Sequence, residues 1–127
     1  HERDSNGRFL DILKNHKSKG IQGVVHCFSG NQYELDQYLA LGFYIGITGI
    51  LTMKNRGARL RKLVAGIPSD RLLVETDAPY LVPAPEKNQY RRNEPAFVKS
   101  VLLKLAKVIE ENPEHLAEIV WQNTCRM

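Results

Sequence analysis

Three short apolar runs constrain what this chain can fold into: Gly23-Val24-Val25, Phe43-Tyr44-Ile45-Gly46-Ile47 and Leu72-Leu73-Val74-Glu75-Thr76. Each is too short for a helix and lacks the polar alternation of a half-solvated strand, which suits strands buried on both faces of a parallel sheet. Helical patterns separate them. Asp4 or Ser5 can cap a helix in which Phe9, Leu10, Ile12 and Leu13 share one face, and Gly20 can close it. From Asn31 to Leu41 a second helix presents Leu35, Tyr38, Leu39 and Leu41, with Gly42 placed to end it. A third is predicted over residues 59–65, before Gly66 and Pro68. Beyond Asp77, Pro79, Pro83, Pro85 and Pro95 mark a long irregular loop. Val98, Val101, Leu102, Leu105, Ala106 and Ile109 then repeat at i, i+3, i+4, and Asn112-Pro113 opens a last helix carrying Leu116, Ile119 and Val120. Strands alternating with helices imply parallel βαβ units and an α/β fold.

The 127 residues suit one domain, and 43% apolar with 25% charged residues is an ordinary globular balance. No apolar run approaches the roughly 20 residues of a membrane-spanning helix, and the first ten residues are too polar for a signal peptide, so no membrane partner is expected. Cys27 and Cys125 lie far apart without a CxxC spacing, which points to a reducing compartment such as the cytoplasm. The net charge of +4 permits an anionic partner without requiring one. The chain opens on His1 rather than Met, so truncation at the N-terminal side is expected.

Ligands of parallel α/β folds bind at the C-terminal ends of the strands, where the loops converge. His26 ends one predicted strand, Asp77 follows another, and His1 stands just before a helix where a preceding strand would end. Two imidazoles and a carboxylate at one rim suit a divalent metal, zinc by its nitrogens, magnesium or manganese by its oxygen. Each residue also has a plainer use: His26 as a hydrogen-bonded structural histidine, Asp77 as a turn former, His1 as a chain end or tag remnant. Lys54, Arg56, Arg59, Arg61 and Lys62 fall within nine residues that contain no acid, and such a cluster either contacts phosphates or forms a solvated helix face. Arg91-Arg92 is equally ambiguous, whereas His16 and His115 sit on polar helical surfaces and need no function. Cys27 beside His26 does not make a nucleophile and base, because neighbours on a strand point to opposite faces. No Gly-rich phosphate loop is present, and Ser29-Gly30 lacks an esterase context.

HERD at the start, VVHCFSG at 24–30, YIGITG at 44–49, LLVETDAPYLVP at 72–83, RRNEP at 91–95 and the closing QNTCRM together resemble TatD-family metal-dependent deoxyribonucleases. The motifs keep the family's order and spacing from residue 1 to 127, and HCFSG with ETDAPYL is a specific pair. The resemblance implies a (β/α)₈ TIM barrel of the amidohydrolase-like superfamily, of which this chain is the C-terminal half, roughly the last four of eight βα units. It implies two divalent metal ions per complete site, Mg²⁺ first, with Mn²⁺ or Zn²⁺ as alternatives. By position, His1 matches the histidine of HxR and His26 that of HCFSG, both metal ligands. Asp77 matches the aspartate of ETDxPY, which contacts metal and acts on the attacking water. Glu75, Arg92, Asn93 and Glu94 are read as architectural supports. The family's HxH pair and its middle-strand glutamate are not in this sequence.

The function so implied is hydrolysis of DNA phosphodiester bonds by metal-activated water, with 3′-to-5′ exonuclease action on single-stranded DNA and a role in DNA repair. Arg56 and Arg59 are candidates for holding the DNA backbone, with salt-sensitive and largely sequence-independent binding. Ligation requires neutral imidazoles, so activity is expected to fail at acidic pH. Two other classes are compatible with the same residues: a sister hydrolase acting on aminoacyl-tRNA or another ester or amide, and a non-catalytic truncated product. A half-barrel alone would expose strand edges and apolar faces, so the isolated chain is expected to show weak or no activity and to pair or aggregate.

Overall fold

The computed structural model describes residues 5, 7–17 and 20–127. The three apolar runs are strands β1 (Val24–Val25), β2 (Tyr44–Ile47) and β3 (Leu72–Val74), which form one parallel sheet in that order. Val24 faces Tyr44, Ile45 faces Leu72 and Ile47 faces Val74. Helix α1 (Arg8–Asn15) precedes the sheet, α2 (Gln32–Ala40) connects β1 to β2, and α3 (Ala58–Leu63) lies between β2 and β3. Helices α4 (Val98–Ile109) and α5 (Pro113–Arg126) complete the chain. Because all three strands run in one direction, Val25, Ile47 and Val74 end on the same edge, and the residues after each are brought together there.

Local chemistry fixes the helix starts. The Asn31 side chain accepts a hydrogen bond from the Glu34 N–H at 3.0 Å while the Glu34 carboxylate accepts one from the Asn31 N–H at 2.8 Å, a reciprocal capping box. Asn112 accepts from the N–H groups of Glu114 and His115, and Pro113 occupies the first turn, where its missing N–H costs nothing. Helix ends differ more from expectation. α1 stops at Asn15, short of Gly20, because His16 closes it: its N–H donates to Leu13 O, and its Nδ1 lies 2.8 Å from Ile12 O. α3 stops at Leu63 and tightens into a 3₁₀ turn over Val64–Gly66, since Pro68 forces Ile67 before it into an extended conformation.

The sheet is covered by Leu35 and Tyr38 of α2, by Leu60 and Val64, and by Val101 and Leu105 of α4 and Leu116 of α5. Ile45 and Ile47 are fully buried, each contributing about 1.5–3 kcal/mol of burial free energy. No helix among the described residues is long and apolar enough to cross a membrane.

Asn123, in the closing QNTCRM motif, is a buried polar residue on α5. Its Nδ2 donates to Ser69 O at 2.7 Å and Leu72 O at 2.8 Å, tying the last helix to the start of β3. Asn123→Leu keeps the branched shape but strips both carbonyls of their donor. Loss of a buried partner costs about 1–3 kcal/mol. Denaturant unfolding of the intact protein should show a loss of that size, and unchanged stability would mean that the tie is dispensable.

Candidate metal centre

β1 delivers His26 directly past Val25, and β3 delivers Glu75, Thr76 and Asp77 past Val74. Parallel pairing through β2 brings these two ends to one edge. His26 Nδ1 lies 2.8 Å from Glu75 Oε2, and His26 Nε2 lies 3.3 Å from Asp77 Oδ1. The imidazole is therefore held between two carboxylates, one on each nitrogen. Glu75 Oε2 also accepts the Cys27 N–H at 3.0 Å. The side chains of His26 and Asp77 remain about one-third exposed while Glu75 is more deeply placed, so His26 and Asp77 form the face open to a ligand.

Room for Glu75 comes from Gly46 at the middle of β2. A Cβ there would overlap the Glu75 carboxylate, so the sheet needs glycine at this position for the carboxylate to lie across it. Cys27 takes a left-handed conformation, φ 52°, which turns its side chain inward; its Sγ sits 3.4 Å from Thr48 Oγ1, both buried. That inward position supports the rejection of a Cys27–His26 catalytic pair.

Asp77 also has positive φ, 60°, and is followed by a cis Ala78–Pro79 bond. Asn93, nearly fully buried, clamps this turn from outside the strand. Its Nδ2 donates to Thr76 O at 2.7 Å and to Tyr80 O at 2.6 Å, its Oδ1 accepts from the Glu94 N–H, and its own N–H donates to Pro79 O. The Tyr80 N–H closes the loop on Asp77 O at 2.8 Å. Asn93 thus acts as the architectural support that its motif suggested, and so does Glu75. Arg92 and Glu94 are exposed.

The donor chemistry fits a cation. With Nδ1–H donating to Glu75, the neutral tautomer leaves a lone pair on Nε2, and this lone pair faces a carboxylate oxygen. Two such acceptors attract only when a proton or metal ion lies between them. A histidine whose far nitrogen is fixed by a carboxylate is the usual arrangement for a metal-ligating imidazole. Among the described residues, no group of three or more His, Cys, Asp or Glu side chains is placed to hold a metal ion by itself. His1, the third expected ligand, lies outside the described residues.

The basic stretch divides. Arg61 is not available to phosphate: its guanidinium donates to Leu51 O, Met53 O and Lys54 O, holding the turn after β2. Lys54, Arg56, Arg59 and Lys62 are exposed. Gly46 was not singled out by sequence reasoning, although a glycine inside a strand pattern signals close approach by another group.

The family model described as TatD related DNase matches residues 1–127. A 3′-5′ ssDNA/RNA exonuclease TatD of Rahnella sp. is 45% identical over 100% of this chain and 49% of its own length. Its counterpart in Pectobacterium atrosepticum is 43% identical over 100% of this chain and 50% of its own. Among solved structures, a TatD-family hydrolase from Entamoeba histolytica superposes with a TM-score of 0.84 at 28% identity, covering 100% of this chain and 48% of that one. A TatD homologue from Escherichia coli gives 0.82 at 30% identity, over 96% and 46% respectively. The chain spans about half the length of the curated relatives it matches. The three parallel strands and their helices are accordingly part of an amidohydrolase-like (β/α)₈ barrel. With the motifs in order along its whole length and the barrel geometry shared, the chain belongs to the TatD related DNase family.

Proposed function

We propose that this chain supplies His26 and Asp77 to the divalent-metal site of a nuclease that hydrolyses phosphodiester bonds of single-stranded nucleic acid from the 3′ end. The Glu75–His26–Asp77 relay at the C-terminal edge of the sheet carries the reading. The names of the curated relatives, ssDNA/RNA exonucleases, support the substrate class and the polarity. Magnesium is the proposed metal, with manganese or zinc as alternatives, and His1 is proposed as a further ligand.

Glu75 fixes the His26 ring and keeps the proton on Nδ1, so that Nε2 offers its lone pair to the cation. Asp77 contributes an anionic oxygen beside it. When bound, a divalent cation supplies Lewis acidity toward a phosphoryl oxygen and makes water a nucleophile near neutral pH. Asp77 would orient the attacking water and take its proton as the new oxygen–phosphorus bond forms and the bond from phosphorus to the leaving ester oxygen breaks, that oxygen taking up a proton from solvent. Removing a general base of this kind typically costs about 10²–10⁴-fold in rate. Asn93 and the Asp77–Tyr80 turn keep the carboxylate in place while its charge changes.

In the intact protein with Mg²⁺, Asp77→Asn should lower turnover of a 5′-labelled oligonucleotide by at least about 100-fold, with unchanged circular dichroism. Near-normal turnover, or a preference for aminoacyl esters over oligonucleotides, would overturn the reading.

A second test addresses the support beneath the histidine. Gly46→Ala displaces the Glu75 carboxylate, and Glu75→Gln weakens its hold on Nδ1. Both should reduce Mn²⁺ affinity in calorimetric titration by about 10–100-fold, the usual effect of losing an outer-shell partner of a ligand. Wild-type affinity in both variants would remove His26 from the metal site.

A further inference from the structure

Two loops that leave the reactive edge of the sheet enclose a groove of about 400 Å³. One wall is the turn after β2, which contributes Arg56, and the other is the proline-rich loop after Asp77, which contributes Lys87, Tyr90 and Arg91. Leu81 and Val82 line it as well, and no carboxylate does. The volume lies toward the lower end of the roughly 300–1,000 Å³ typical of ligand pockets, the scale of one nucleotide unit.

Both walls are built to hold their shape. Arg61 pins the first from behind through three backbone carbonyls. Thr52 Oγ1 donates to Gly49 O and accepts the Ala84 N–H at 2.8 Å, joining the first wall to the second. A Cβ on Gly49 would overlap Leu81 O, so the two loops touch backbone to backbone. Lys87 and Tyr90 ride on a turn whose N–H groups bond Pro83 O and Glu86 O, and the Tyr90 ring rests on Phe97 with centroids 4.9 Å apart. By contrast, the Arg56, Lys87 and Arg91 side chains are exposed and form no ion pair among the described residues. Three uncompensated cations around an aromatic ring, on rigid loops, match what a sequence-tolerant single-strand site requires: cations for the phosphates and a π-face for a base.

Resting on the nuclease reading above, we infer that this groove holds the substrate strand beside the scissile bond, with Arg56, Lys87 and Arg91 on backbone phosphates and Tyr90 stacked on a base. Arg56 lines the groove and Arg59 does not, and the proline-rich loop adds Arg91, one of two arginines that sequence reasoning left ambiguous, together with Lys87 and Tyr90, which it did not single out.

Binding can be read without turnover. The probe is a short fluorescein-labelled oligothymidylate, followed by anisotropy with the intact protein in EDTA across a salt series. Each phosphate contact on a single strand contributes about 0.7 to the slope of log affinity against log salt. Arg56→Ala with Arg91→Ala should weaken binding at least about 10-fold and lower the slope by about 1.4. Arg56→Lys with Arg91→Lys should restore the slope, because the charge and not the fork is counted. Tyr90→Leu should weaken binding about 5-fold or more and leave the slope unchanged, since stacking releases no counterion. An unaltered affinity and slope in the double alanine variant would overturn the inference, as would a slope that the lysine pair fails to restore. The parent reading is tested separately by Mg²⁺-dependent hydrolysis of the same oligonucleotide, so a nuclease with an idle groove and a groove without a nuclease give different results.

Discussion

One oxygen of the Glu75 carboxylate accepts both the His26 imidazole N–H and the Cys27 backbone N–H, and the rest of the site depends on this shared acceptance. Charge-assisted hydrogen bonds are roughly twice as strong as neutral ones, and here two of them join β3 to the residues leaving β1. They set the orientation of the His26 ring together with the sharp turn at Cys27. The carboxylate reaches that position only by crossing β2 at Gly46, which has no side chain to obstruct it. A strand glycine, a glutamate past the next strand and a histidine past the previous one therefore form a single physical unit.

Around this unit the backbone adopts costly conformations. Cys27, Asp77 and Leu81 all lie in the left-handed region without being glycine, at about 1–2 kcal/mol each. Strain of this kind persists where surrounding structure over-determines it. The surroundings are identifiable: Glu75 holds Cys27, Asn93 and the Tyr80 N–H hold Asp77, and the turn after β2 packs against Leu81. The Asp77 carboxylate thus sits on a loop fastened at four backbone positions, which keeps its distance to His26 fixed although it lies outside any strand.

Charge is arranged with equal economy. Glu75 and Asp77 concentrate anionic oxygen at the strand ends, while the cations lie farther along the loops that follow. Arg56 and Arg61 look alike in the basic stretch, yet one faces the groove and the other is engaged by three carbonyls. Burial and backbone geometry make the difference, and neither is encoded in the local spacing of charges.

Much was legible from residue order alone. Apolar runs of strand length alternating with helical periodicity specify a parallel α/β layout, because each pattern buries itself in only one kind of element, and a parallel sheet places the residues after its strands at one edge. From that rule His26 and Asp77 emerge as neighbours although they are far apart along the chain. The Asn112-Pro113 helix start was legible for the same reason, since its partners lie within a few residues, whereas α1 takes Gly7 rather than Ser5 as its N-cap, without a side-chain cap. The partners of Glu75, the necessity of Gly46, the clamp of Asn93 and the joining of two loops into one groove depend on contacts between segments distant in sequence. Those were decided by tertiary structure, because hydrogen-bond distances and steric overlap exist only once the strands are in register.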